Sequence, residues 1–325
     1  MSLEPGWIFC SKLDGKGSCS EPPRDFDPSA PNERETVWFH GDYMLPGIQD
    51  WIQHKLKLPP ILIEALTDEN PKPRCLLADQ GMLIVMRGVN LNPKSDPEDM
   101  VALRIWIQKG LILTLRHRRV MAVQSLHKKL EMGEGPRNTH EWLTQLINSV
   151  LKLTRDVVEQ VDEQVDELEE LLLVDRNTKS CPIDIADVRR SIIRLRRHLA
   201  PQRDLFIQLQ KELPSWLPAE FQKSLKEFVN ISARLLEDLE SARDRAAITH
   251  EAWNHQATER MNRTIYLLSI VTAIFLPLGL ITGLLGVNIG GMPGTENQYA
   301  FWDLCGVLVL IGLLEWWILR KNRWL

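Results

Sequence analysis

Apolar and polar residues change their rhythm twice along this chain, and each change marks a different kind of structure. Over the first ~120 residues, short apolar runs (WIFCSKL, TVWFH, MLIVMRGVN, VALRIWIQ and LILTLR) alternate with helically spaced segments near Ile48–Lys55, Pro60–Leu66 and Val123–Met132. Runs of this length, rich in β-branched and aromatic residues, predict strands, and their mixture with short helices predicts an α/β domain. Lys109-Gly110 between the last two runs predicts a tight hairpin, and the Pro-rich stretch Glu21–Pro31 a loop.

From Thr139 the period becomes helical. Leu143, Leu146, Val150, Leu153, Val157, Val161, Val165, Leu168 and Leu172 form one apolar stripe, with Glu159, Asp162, Glu163, Asp166, Glu167, Glu169 and Glu170 crowding the other face. The next helix has Ile185, Val188, Ile192, Leu195 and Leu199 as its stripe and carries Arg189, Arg190, Arg194, Arg196 and Arg197. Opposite charges on consecutive helices predict an antiparallel hairpin.

A third helical stretch, Ala219–Leu276, runs 58 residues without Gly or Pro, a rod of roughly 87 Å. Its stripe is Phe221, Leu225, Phe228, Ser232, Leu235, Leu239, Ala242 and Ala246. A seam on so long a helix predicts association with copies of itself around an axis. The rod ends as hydrocarbon. From Ile265 to Val287 the Tyr266 phenol is the one ionisable side chain, and a second apolar run, Ala300–Leu319, follows. About 20 apolar residues cross a bilayer. The expected organisation is therefore a cytosolic α/β domain over 1–135, a cytosolic long-helix domain over 136–263 that includes the start of the stalk, and a transmembrane domain over 264–325. The last comprises spans 265–287 and 300–319, a loop 288–299 and a tail 320–325.

Charge then sets orientation. Arg260 and Arg263 precede the first span and Arg320, Lys321 and Arg323 follow the second, while the loop 288–299 has no Lys or Arg. This predicts cytoplasmic termini and an external loop, with Trp302, Trp316 and Trp317 as interfacial aromatics. The opening MSLEPGWIFCSKLDGKG has Pro and charge where a signal peptide needs an apolar core, which also predicts a cytosolic head. The basic run lies beside a larger acidic one on a chain of formal charge -4, which argues against nucleic acid as a partner. The five cysteines are scattered and never in a C-x-x-C pair, against a disulfide framework or a structural zinc. No P-loop, G-x-S-x-G or G-x-G-x-x-G occurs, and His250 and His255, five residues apart, diverge by about 140° around a helix. The chain is not expected to be an enzyme.

The informative constellation is Gly286-Val287-Asn288 at the end of the first span, followed by Gly290-Gly291-Met292-Pro293-Gly294. With two C-terminal spans and a giant helix feeding the first, it resembles the CorA family of divalent-cation channels, and within it the bacterial zinc-transporting ZntB branch. Ala200-Pro201-Gln202-Arg203-Asp204 is similar to that branch too. Val287 stands where the magnesium channels of the family have Met, and Gly294 where they have an acid, so that the nearest carboxylate is Glu296.

The resemblance implies a funnel-shaped homopentamer in the bacterial inner membrane, with the first span lining an axial pore, the second facing lipid, and divalent ions as cargo. Zinc is the expected ion; magnesium, cobalt, nickel and cadmium are alternatives, and proton coupling is left open. No cofactor is implied beyond the transported ion. Counting back from Asn288, Gly283, Gly279, Leu276, Thr272, Leu268 and Ile265 share one helical face that matches the family's pore line, and the same face meets Thr258 and Glu251 in the rod. Gly286, Val287 and Asn288 would form the ion entry. Five Asn288 amide oxygens would hold a dication through its inner waters, although Asn288 also suits a helix C-cap. Zinc prefers thiolate and imidazole, and this face has neither, so recognition would rest on field and size. Asp303 and Glu315 lie near the ends of the second span, within reach of water. A magnesium or cobalt channel of the same family is the nearest rival, and a membrane-tethered scaffold without transport is a rival of another class.

Overall fold

The computed structural model describes residues 6–23, 26–32, 35–45, 47–78, 80–174, 184–287 and 297–321. Residues 1–250 make one compact unit and residues 251–325 a second.

The first unit is built on a seven-stranded sheet: β1 (Trp7–Leu13), β2 (Cys19–Ser20), β3 (Val37–Asp42), β4 (Arg74–Ala78), β5 (Gly81–Gly88), β6 (Val101–Gln108) and β7 (Leu111–Arg116). The spatial order is β2-β1-β3-β7-β6-β5-β4, with β3 and β7 parallel and every other pair antiparallel. The predicted hairpin joins β6 to β7, where Gln108 pairs with Leu111. Gly110 turns there at φ 79°, and a Cβ on it would lie 2.5 Å from the Asn32 carbonyl, so no other residue fits. The strands β2 and β4 carry too few alternating apolar residues to stand out in the sequence, and both lie at sheet edges.

Between β3 and β4 come α1 (Ile48–Trp51), continued by a π-helical turn at Ile52–Leu56, and α2 (Pro60–Thr67). These cover one face of the sheet. Ile48, Trp51, Ile52, Leu62 and Leu66 pack there on Val37, Phe39, Leu83, Val85, Trp106, Leu113 and Leu115. The other face carries Trp38, Met82, Ile84, Met86, Leu103, Ile105 and Ile112 and is covered by α3 (Met121–Glu131) and the long helices α4 (Thr139–Val174), α5 (Ile185–Lys211) and α6 (Ala219–Leu285) through Leu126, Trp142, Leu146, Phe206, Phe221 and Phe228. Period-2 alternation thus feeds two cores from one set of strands.

Local chemistry starts the long helices. At the head of α4, Asn138 Oδ1 accepts from the Glu141 backbone N–H at 2.9 Å, and Glu141 reaches back to the Arg137 N–H at 2.9 Å, a reciprocal cap. Asp184 caps α5 by accepting from the Ala186 N–H at 2.8 Å. Within α5, Gln202 is buried and its Oε1 accepts from the Arg87 backbone N–H at 2.8 Å, where β5 outruns its pairing with β4.

Beyond the sheet, α4, α5 and α6 form a third core from Val157, Val161, Val165 and Leu168, from Val188, Ile192, Leu195 and Leu199, and from Leu235, Leu239, Ala242 and Ala246. Two sequence expectations are corrected here. The α6 stripe from Phe221 to Ala246 is consumed inside the chain, packed against α4, α5 and the sheet, and is not a seam for further copies. Nor, among the described residues, do the arginines of α5 form ion pairs with the acids of α4. Arg194 pairs with Asp99 at 3.0 Å and Arg196 with Glu240 at 2.6 Å, whereas Asp162, Asp166 and Glu169 converge on Arg245 of α6. The 27 residues of α5 place its arginines toward α6 and the β5–β6 connection because its apolar stripe, not its charge, decides which side meets α4. Arg245 binds Asp162 at 2.9 Å and Glu169 at 2.7 Å, and its hydrogen bonds to Glu169 and then Asp166 hold its proton more tightly than on a free arginine.

The second unit contains residues 251–285 of α6 and the helix α7 (Ala300–Lys321). α6 is continuous over 67 residues and passes through Pro277, which removes one backbone donor without ending it. Both helices are long and apolar enough to cross a membrane.

One ionic and one titration experiment follow from this packing. Arg245→Gln leaves three acids facing one another and lowers the thermal midpoint by about 2–4 °C at low salt, about 1 kcal/mol. Because the cluster is partly exposed, 1 M NaCl should close most of that gap; a gap indifferent to salt would assign Arg245 a packing role instead.

His40 lies buried beside Thr114 Oγ1 at 2.8 Å. Burial, then the neighbouring Arg116 and His127, push its pKa down to about 3 from 6.5. A depressed histidine favours folding above the unfolded pKa, and that contribution is lost as pH falls from 6.5 toward 3. The His40→Gln protein should therefore lose less stability than wild type over that window in chemical denaturation. Equal losses would show that His40 is not the group responsible.

Candidate functional site

The sequence-derived site lies on the C-terminal half of α6. A continuous α-helix turns 100° per residue, so Glu251, Thr258, Ile265, Leu268, Thr272, Leu276, Gly279 and Gly283 fall within an arc of about 100°. Each of the eight side chains or α-carbons is exposed in the single chain. Leu268 and Leu276 are 66% and 70% exposed, and a Cβ built on Gly279 or Gly283 would meet no atom within 4 Å. An apolar surface of this size needs cover from outside the chain.

The chemistry of the arc is that of a face without fixed charge from Thr258 onward. Thr258 Oγ1 donates to the Asn254 carbonyl at 2.9 Å, and Thr272 Oγ1 to the Leu268 carbonyl at 2.8 Å. Their hydroxyl protons are thereby used and their lone pairs remain as acceptors for a water or a cation. Ile265, Leu268 and Leu276 are the bulky positions. The glycines give the end nearest Gly286 its smallest profile.

At that end the Gly286 N–H continues the helical ladder to the Thr282 carbonyl at 2.9 Å. A Cβ there would sit 3.0 Å from the same carbonyl oxygen. Val287 is exposed. Asn288, and with it the predicted ion-entry ring and the Gly290–Gly294 sequence, lies outside the described residues.

On α7, Arg320 lies over the Trp316 ring at 5.1 Å and Lys321 over Trp317 at 4.8 Å, an aromatic and basic girdle at one end of an apolar helix. Asp303 is exposed, and Glu315 Oε2 is shielded without a hydrogen-bond partner among the described residues.

The head holds one arrangement that sequence reading missed. Ser11 Oγ lies 3.2 Å from His127 Nε2, and His127 Nδ1 lies 3.6 Å from Glu131, the order of a nucleophile, a base and an acid. The Phe9 ring stacks on His127 at 3.8 Å, and Ser11 is buried. With one face covered by Phe9, the imidazole is a half-buried packing group whose pKa burial lowers, and buried Ser11 offers little surface to a substrate. Two thiols are equally inert: desolvation pushes the half-buried Cys10 and the buried Cys75 up to about 12.

Comparison with known proteins follows the same lines. Residues 33–321 match the family model described as CorA-like Mg2+ transporter protein. The chain is 37% identical to the divalent cation transporter CmaX of Pseudomonas aeruginosa over 90% of its own length and 88% of that protein. It is 31% identical to the zinc transport protein ZntB of Yersinia enterocolitica over 98% of its own length and 96% of that protein. These relatives are named as transporters and not as enzymes. The solved structure of full-length CmaX superposes with a TM-score of 0.86 at 35% identity, covering 100% of both chains. A soluble α/β head, a very long helix and two apolar C-terminal helices are therefore shared from end to end, and this chain belongs to the CorA-like Mg2+ transporter protein family.

Proposed function

We propose that this protein transports divalent cations across the bacterial inner membrane, as a homopentamer whose five copies of α6 line an axial pore. The observation that carries the reading is the exposed, uncharged arc from Thr258 to Gly283 on a helix of spanning length, which has no packing partner among the described residues of its own chain. Five such arcs around an axis would cover one another and enclose a path. Ile265, Leu268 and Leu276 would form apolar rings that stop a hydrated ion by dewetting until the helices move apart, with hydroxyl oxygens supplied by Thr272 between them and by Thr258 before them. Glu251, at the end of the arc remote from Gly286, would place a ring of carboxylates that concentrates cations. In this reading α7 faces lipid, and Gly286, Val287 and Asn288 form the ion entry.

Zinc is the proposed cargo. Relatives of this length and similarity include proteins named for zinc transport, and Val287 and Gly294 depart from the residues that the magnesium channels resemble. An amide ring at Asn288 would bind the ion through its water shell, which avoids most of the dehydration cost and gives little preference between dications. Magnesium is the second reading, favoured by the absence of any thiolate or imidazole on the arc.

Two measurements test this. Asn288→Ala protein, reconstituted in liposomes and verified to keep its oligomer, is expected to lose at least about tenfold of its zinc flux, since one lost charge-assisted contact per subunit removes the entry site. Unchanged flux in an assembled mutant would reduce Asn288 to a helix cap, and absent flux of zinc and magnesium in the wild type would favour a tethered scaffold. For orientation, a cysteine at Thr295 should react with an impermeant maleimide from outside intact cells and one at Lys12 should not. The opposite pattern would invert the topology and the direction of the pore.

A further inference from the structure

A cavity of about 390 Å3 opens in the head beside β5 and β6. Its wall is built by Arg87 on β5 and Arg104 on β6. Arg104 is paired with Val85, and Arg87 with Ala102, so the two arginines are diagonal neighbours on one sheet face. Both are charged residues within otherwise apolar strands. Arg104 is 1% exposed and Arg87 8%.

Neither has an acid in ion-pair range among the described residues. Arg87 donates to the Met100 carbonyl at 2.8 Å, to the Pro71 carbonyl at 3.0 Å and to Asn70 Oδ1 at 2.5 Å. Arg104 donates to the Asp68 carbonyl and lies 4.1 Å over the Tyr43 ring, while its Nε has no partner. Carbonyl dipoles ease the cost of burying two guanidinium groups, but they do not neutralise the charge. Burial, then Arg104 and Arg197, disfavour the charged form of Arg87 and outweigh the opposing charge of Asp68, which is not in ion-pair range.

The remaining wall points the same way. Arg118 and His117 come from the β7–α3 connection and His198 from α5. Arg118 is exposed and makes no ion pair among the described residues. Two acids also reach the lining. Asp99 is already engaged by Arg194 at 3.0 Å, and Glu69 is exposed at the rim.

We propose that this cavity is an oxyanion site of the cytosolic head, in which Arg104, Arg87, Arg118 and His198 hold the phosphate group of a small phosphorylated molecule. Guanidinium forks match phosphate oxygens in geometry and charge, and a dianion would supply the missing counter-charge. The volume exceeds that of a bare phosphate, so an organic portion fits beside Tyr43. His198, whose pKa burial, Arg87 and Arg197 hold down to about 4, enters as a neutral hydrogen-bond donor. This site goes beyond the transport reading and does not rest on it.

The test is calorimetric titration of the full-length protein in detergent, free of divalent ions, with inorganic phosphate and with adenosine monophosphate. Saturable binding of either probe, with a matching rise in thermal midpoint, is expected; tighter binding of the nucleotide identifies an organic ligand, and equal binding identifies phosphate alone. Because Arg104→Gln could fail to fold, the deciding variants are Arg118→Gln and His198→Gln at the cavity mouth. Each should keep the wild-type melting curve without ligand and weaken binding about tenfold. Absence of binding of both probes up to about 10 mM, or unaltered affinity in both folded variants, overturns the proposal.

Discussion

Everything else in this chain depends on how α6 changes its surroundings along its length. From Phe221 to Thr249 its stripe is buried among α4, α5 and the sheet, in contacts of the kind that cost about 3–5 kcal/mol when a core Phe is cut to Ala. After Thr249 the helix buries no such stripe among the described residues, and from Ile265 its surface is uncharged and largely apolar on every side. A helix of 67 residues cannot be held by propensity alone. It persists because the first half is fixed by packing and the second suits a medium in which every backbone polar group must be satisfied internally. One unbroken element thus belongs to a soluble core and to a membrane.

Charge is handled by two different rules in the head. On the outside of the helical bundle, Arg245 gathers Asp162, Asp166 and Glu169, so that three acids from the densest acidic run of the chain share one guanidinium in a partly solvated place. Inside the sheet the opposite holds, since Arg87 and Arg104 are buried on carbonyl oxygens without acids of their own. The first arrangement is a surface network, sensitive to salt. The second leaves positive field in a cavity, and a stable fold carries such a cost where a ligand recovers it.

For transport, the proposed path would gain ease of passage, not selectivity, from what it lacks. An arc of leucine, isoleucine, threonine and glycine binds no ion tightly, which suits passage of a hydrated dication and not its capture. A site of thiolates or imidazoles would discriminate zinc better but release it slowly.

The residues by themselves determined the larger outline. Short apolar runs marked five of the seven strands, long 3.6-period stripes marked α4, α5 and α6, and the uncharged stretch after Arg263 marked the first apolar span, because these patterns reflect local geometry that any packing must respect. The candidate arc was legible for the same reason: a continuous helix fixes which residues share a face. Partnership was not legible. An apolar stripe states that a face is buried but not by what, so the Phe221–Ala246 seam, expected to face other copies, packs within the chain, and the acids of α4 meet Arg245, 76 residues beyond Glu169, and not the arginines of the next helix. The edge strands β2 and β4 were silent because two and five residues carry too little alternation. Arg87 and Arg104 stood in plain view within apolar runs, yet only the antiparallel register of β5 on β6 brings them to one face, since pairing across strands is set by tertiary contact and not by neighbours in the chain.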